Sequence, residues 1–186
     1  DFGHADVPAG NSVSVNNDIS IVPVNDPPVL SVPGNQTMAS GTYIDIPSGF
    51  AVQDNKDINQ GATDYIAVTV KATQGGSDYG TITIQTLGGA TVVGAGSSTV
   101  TVSGTNAAVS SALNSLRYTP TDPNVDQVIN MTVTADDRRG GVGNGPESVG
   151  VDGNKTSSKT FNIIISRTNA PPPVPGPAPG GAAARR

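Results

Sequence analysis

The chain has 186 residues, a formal net charge of -5, one histidine and no cysteine. That length accommodates one ordinary domain with flanks and is enough to bury a core. The acidic balance argues against nucleic-acid binding, which needs clustered Lys and Arg. Without Cys there are no disulfide staples and no thiol chemistry, and no apolar run approaches the ~18 residues of a membrane helix.

The apolar residues point to a pleated sheet. There are 22 Val and 12 Ile against 4 Leu, and branching at Cβ stiffens a side chain in the way strands favour. Of the 15 carboxylates all but Glu147 are Asp, a residue suited equally to turns and to oxygen cages for hard cations. The composition predicts an all-β protein.

In chain order, the first strand signal spans residues 12–24, with Val13, Val15, Ile19, Ile21 and Val24 as its apolar set. Asn25-Asp26-Pro27-Pro28 follows as a stiff junction, because proline fixes φ and restrains the residue before it. Further strands are predicted at 29–32, 42–46, 65–71, 80–86, 99–103, 128–135 and 160–166. Alternation is clearest at Ile66/Val68/Val70, Ile82/Ile84 and Val100/Val102. Seven short strands punctuated by Gly, Asp, Asn and Pro read as a sandwich.

One stretch departs from this pattern. Val109, Ala112, Leu113 and Leu116 recur at helical spacing, with Thr105 or Asn106 as N-cap, so a short helix is expected across one end of the sandwich, leading into Arg117–Pro120. Between Asp136 and Ser158 lies a polar, Gly-rich insertion that reads as surface decoration or as a binding loop. The last segment, 170–186, carries six prolines between Pro171 and Pro179 and reads as an extended spacer.

The ending Ile19-Ser20-Ile21-Val22-Pro23-Val24-Asn25-Asp26-Pro27-Pro28-Val29 returns 144 residues later as Ile163-Ile164-Ile165-Ser166-Arg167-Thr168-Asn169-Ala170-Pro171-Pro172-Pro173. A β-like run followed by Asn-x-Pro-Pro, repeated at a domain's distance, is the mark of tandem modules. The expected organisation is a closing strand of a preceding repeat (1–24), a linker (25–28), one repeat (29–169) and a tail (170–186). No signal peptide is legible, so the sequence reads as mature or internal.

Four motifs stand in order along residues 1–170: Val24-Asn25-Asp26-Pro27-Pro28-Val29, Val52-Gln53-Asp54-Asn55-Lys56-Asp57, Ala112-Leu113-Asn114-Ser115-Leu116-Arg117-Tyr118-Thr119-Pro120 and Thr132-Val133-Thr134-Ala135-Asp136-Asp137. Together they resemble the bacterial cadherin-like tandem repeats of very large secreted and cell-surface adhesins. The resemblance implies a cadherin- or immunoglobulin-like seven-stranded β-sandwich with one short helix. It further implies a bacterial extracellular location, at the cell surface or secreted, and Ca2+ at the junction between modules. Calcium takes six to eight oxygens, which loops at one end of such a fold can supply.

Carried over, the ligands at the first junction would be Asn25, Asp26, Asp54, Asp57 and Asp137, with Asp136 as an alternate and Asp1 as an addition from the neighbouring repeat. The sequence departs from the family pattern in three places. Lys56 occupies the place of a second Asp, Ser40-Gly41 stands where relatives carry acids, and Ala170 replaces the Asp of the second linker. The last two losses fall on the C-terminal junction, so metal is expected at 25–26 and not at 169–170, as in the last repeat of an array.

Catalysis is not expected, because the sole histidine, His4, offers no triad partner set, and zinc chemistry lacks ligands. The expected role is a calcium-stiffened structural and adhesion repeat. One alternative is a strand-complemented subunit of an extracellular filament, in which residues 12–24 pair with a neighbouring copy. Another is a glycan-binding module using outward Tyr65 and Tyr79, with Tyr118 and Phe161 packed inside. The partners expected are adjacent repeats, neighbouring copies or a surface glycan.

Overall fold

The computed structural model describes residues 26–39, 41–54, 65–137 and 155–166. It shows an all-β chain with one short helix. The dominant sheet runs, in spatial order, β2 (Gln36–Ala39), β12 (Thr156–Ser166), β11 (Gln127–Asp136), β5 (Tyr65–Gln74), β9 (Thr99–Thr105) and β8 (Thr91–Val93), with β6 (Ser77–Asp78) paired to the end of β5. A three-stranded sheet is ordered β3 (Ile44–Asp45), β10 (Leu116–Thr119) and β7 (Thr81–Ile84), and β1 (Val29–Ser31) pairs with β4 (Ala51–Gln53). All pairings are antiparallel except β2 with β12, where Ile163–Ser166 run parallel to Gln36–Ala39.

The alternation read from sequence becomes an inward row on each long strand. Ile66, Val68, Val70 and Ala72 on β5, Val100 and Val102 on β9, Ile129, Met131, Val133 and Ala135 on β11, and Ile163 and Ile165 on β12 are buried together. Leu30 and Val52 from the two-stranded sheet and Ile82, Leu116 and Tyr118 from the three-stranded one join the same core. Phe50 and Phe161 meet edge to face, with ring centroids 5.9 Å apart. Burying each of these aliphatic side chains contributes about 1.5–3 kcal/mol relative to exposure.

Twelve strands stand among the described residues, where seven were expected besides the segment leading out of the helix, which was read at Arg117–Pro120 and is a strand at Leu116–Thr119. The additional β2, β4, β6 and β8 are two to four residues long, too short to show a period. β5 and β12 are also longer than expected, and β5 turns into β6 through Gly75 and Gly76, both at positive φ (56° and 87°) as a tight primed hairpin requires. The ends of the 136–158 insertion belong to the β11–β12 ladder, where Asp136 is opposite Thr156 and Thr134 opposite Ser158. The strand expected at 12–24, the linker residue Asn25 and the tail lie outside the described residues.

The helix α1 (Asn106–Leu113) begins with Thr105 as its N-cap, whose hydroxyl accepts the Ala108 N–H at 3.3 Å. Val109, Ala112 and Leu113 face the core, and α1 packs on β9, β4 and β5. Its polar stripe is tied to β4 and its flanks. Ser110 Oγ accepts the Val52 N–H at 3.1 Å, and Asn114 Oδ1 accepts those of Gly49 and Phe50 at 2.9 and 3.0 Å. The strand that bonds β1 on one side is thus satisfied on the other by helix side chains.

Register fixes which ends coincide. Ala67 of β5 is opposite Asp136 of β11, Asp136 is opposite Thr156 of β12, and Tyr65 is opposite Thr105 of β9. Asn106, next to Thr105, donates from Nδ2 to the Asp54 carbonyl at 3.3 Å, and Val29 is opposite Gln53. The start of β1, the end of β4, the start of α1, the end of β11 and the start of β12 therefore share one end of the fold. The chain comes in there at Asp26 and, after β12, stands at Ser166 at the other end.

Candidate functional site

The end just defined holds most of the residues that the resemblance implies as metal ligands. Asp54 follows β4 and is buried, with 7% of its surface exposed, while Asp137 follows β11 and is 2% exposed. A carboxylate taken out of water costs several kcal/mol unless it is hydrogen-bonded or paired. Asp137 meets that cost in part locally, since both its oxygens accept the Lys155 N–H at 3.1 Å and its own N–H donates to the Lys155 carbonyl at 3.2 Å. Asp136, the last residue of β11, is half-buried, and Asp26 is exposed beside the buried Pro28.

Of the six expected ligands, Asp26, Asp54, Asp136 and Asp137 come to the same end of the fold. Asn25 and Asp57, with the neighbouring Lys56, lie outside the described residues. Among the described residues no three His, Cys, Asp or Glu side chains approach closely enough to hold a metal ion. A complete cage would need oxygens from Asn25, from residues 55–64 or from main-chain carbonyls.

Sequence reasoning missed Asn106. Its amide NH2 is committed to the Asp54 carbonyl, which leaves Oδ1 buried with no hydrogen-bond partner. A buried amide oxygen without a partner is costly, and a hard cation or a water would satisfy it. The donor chemistry at this end, carboxylates with an amide oxygen and no sulfur or imidazole, fits calcium in type. The available signal was the spacing of Asn106, Ser110 and Asn114, a polar stripe at four-residue intervals flanking the apolar one.

The aromatic residues divide largely as expected. Tyr65 is exposed at the start of β5, and Tyr118 and Phe161 are buried. Tyr79 differs, because it packs against the core and its hydroxyl accepts the Asp122 N–H at 3.0 Å. Elsewhere, Arg117 donates to both oxygens of Asp45, at 2.6 and 3.0 Å, and its guanidinium lies 3.8 Å over the Tyr43 ring. The guanidinium beside Asp45 holds that carboxyl below the ordinary carboxylate range. Asn130 is exposed on β11 and donates to Asn162 Oδ1 at 3.3 Å.

No helix among the described residues is long and apolar enough to cross a membrane. Comparison of the chain with protein-family models, with curated proteins and with solved structures finds no match.

Proposed function

We propose that the chain is a cadherin-like β-sandwich repeat of a bacterial extracellular surface protein, acting as a calcium-stiffened spacer and adhesion module without catalytic activity. The three sheets around one core would be the two faces of the sandwich, with β1 and β2 dividing a single edge between them. The observation that carries the reading is the convergence of Asp26, Asp54, Asp136, Asp137 and the Asn106 amide at the end where the Asn25–Pro28 linker joins the fold. A chain that comes in at one end and reaches the other is also the connectivity a tandem rod needs.

The proposed mechanism is electrostatic. Without metal, the carboxylates at the linker end repel one another and the junction bends. Calcium would draw Asp26 of the linker toward Asp54 and Asp137 of the domain, with Asn25 and Asp57 completing the shell, and so fix the angle between successive modules. The test is a thermal melt of the full chain in EDTA and in millimolar calcium. Binding to the folded state alone raises the midpoint by mass action, and that rise should vanish in Asp26→Ala/Asp54→Ala. An unchanged midpoint in the parent protein would remove the calcium reading.

A further inference from the structure

The strand β12 is paired with β11 from Thr156 to Ile165, but on its other side β2 covers only Ile163–Ser166. The preceding strand β1 approaches β12 without pairing with it and bonds β4 instead. Among the described residues, therefore, Thr156–Phe161 form a bare sheet edge of six residues, roughly 20 Å long.

The direction of its backbone groups can be read from one bond. The Asn162 N–H donates to Asn35 Oδ1 at 2.9 Å, away from β11. Backbone groups alternate sides along a strand, so Thr156, Ser158 and Thr160 also aim their N–H and C=O groups outward. The opposite parity agrees, since Lys155 bonds back across to Asp137. A row of open donors and acceptors at fixed spacing is a template for one more strand.

We propose that this edge accepts residues Ser12–Val24 of a second copy of the chain, antiparallel to β12, and that the pairing links copies head to tail. Three observations select that occupant. The segment supplies an alternating apolar set, Val13, Val15, Ile19 and Ile21, suited to a strand with one covered face. Lys159 is exposed on the edge and disfavours pairing of two such edges with each other, whereas Ser12–Val24 carries Asp18 as a counter-charge.

Reach supplies the third. Asp26 and Pro27 both precede a proline and are held extended, and proline is unsuited to the third position of a tight type I reversal. A chain extended at Asp26 and Pro27 does not double back there, which favours a second copy over the same domain as the source of the strand. Donor and acceptor are different segments of the chain, so the contact is heterologous and propagates as an open chain of subunits. No metal takes part, so the pairing stands or falls separately from the calcium reading.

The experiment is multi-angle light scattering of the full chain in EDTA over a hundredfold concentration range. Two variants are compared with it: Thr160→Pro, which removes an outward N–H from the edge, and Ile19→Asp/Ile21→Asp, which spoils the donor. The parent's mass should climb severalfold with concentration, while each variant stays at the 18.6 kDa of one chain. An equimolar mixture of the two variants should stop at twice that mass, because each supplies what the other lacks. A monomeric parent, or association that both variants retain, would overturn the proposal. So would protection of the Thr156, Ser158 and Thr160 amides from hydrogen exchange in a strictly monomeric parent, which would place the segment on its own domain. The donor variant changes no described residue and keeps the test valid if Thr160→Pro does not fold.

Discussion

Asn114 does for Phe50 what a neighbouring strand would do: its side chain accepts the Phe50 N–H and returns a bond from Nδ2 to the Phe50 carbonyl, each at 3.0 Å. Ser110 Oγ accepts the Val52 N–H in the same position, and Asn106 makes half of such a pair, donating from Nδ2 to the Asp54 carbonyl. Four residues of helix rise about 6.0 Å and two of strand about 6.6 Å, so a stripe at i, i+4, i+8 keeps step with alternate strand residues. The helix thereby seals the open side of β4 and carries its order to Asp54. Asn114→Ala would leave the Gly49 and Phe50 amides and the Phe50 carbonyl without these partners. We expect a loss of about 2 kcal/mol with an unchanged urea slope, measured by equilibrium unfolding.

Gly80 sits at φ 71°, and a Cβ there would fall within the ring of Tyr118, 2.6 Å from two of its carbons. The left-handed backbone costs a side chain about 1–2 kcal/mol and overpacking a buried ring about 1–3 kcal/mol more. Gly80→Ala should therefore destabilise the fold by roughly 3 kcal/mol, whereas Gly75→Ala, with open space around it, should cost only the backbone term. A lowered midpoint of similar size in both would mean the ring gives way.

Burial pushes the Tyr118 phenol well above its usual value of 10.0, with the nearby Tyr79 acting in the same direction. The folded state keeps a proton that the unfolded state releases. This contribution to stability is therefore complete below pH 10 and lost as pH rises further. Once the unfolded-state phenol is ionised, the predicted slope from this group approaches about 1.4 kcal/mol per pH unit. Unfolding by urea between pH 9 and 11.5 should show that fall in the parent and less of it in Tyr118→Phe.

Calcium should act through the linker end. At a metal concentration a hundred times the dissociation constant, binding adds about 2.7 kcal/mol. The gain should disappear in Asp26→Ala/Asp54→Ala and be weakened in Asn106→Ala, whose Oδ1 is lost. Calorimetric titration separates weaker binding in Asn106→Ala from simple destabilisation, which an EDTA melt reports by itself.

Long strands with one buried face were legible because alternation over five or more residues overrides other signals, as at Ile66–Val70 and Ile129–Ala135. The helix was legible from Thr105 and the apolar triad behind it. Short edges such as β4 and β8 were not, because three residues carry too little pattern and their pairing is set by tertiary neighbours. The acids at the site were named through the resemblance to cadherin-like repeats, not through a local pattern. Asn106 was not named, since a polar residue at a helix start reads as capping, and only the side-chain bonds to β4 show it turned toward Asp54.

The parallel pairing of β2 with β12 decides how the domain carries force. Tension applied at Asp26 and Ser166 pulls β2 toward one end and β12 toward the other, along their common axis. The bonds joining Gln36–Ala39 to Ile163–Ser166 then lie across the direction of sliding and bear the load together, whereas a hairpin opened from its tip yields one rung at a time. Four short residues at a sheet edge would act as a mechanical clamp, resisting extension by single-molecule pulling far more than their number suggests.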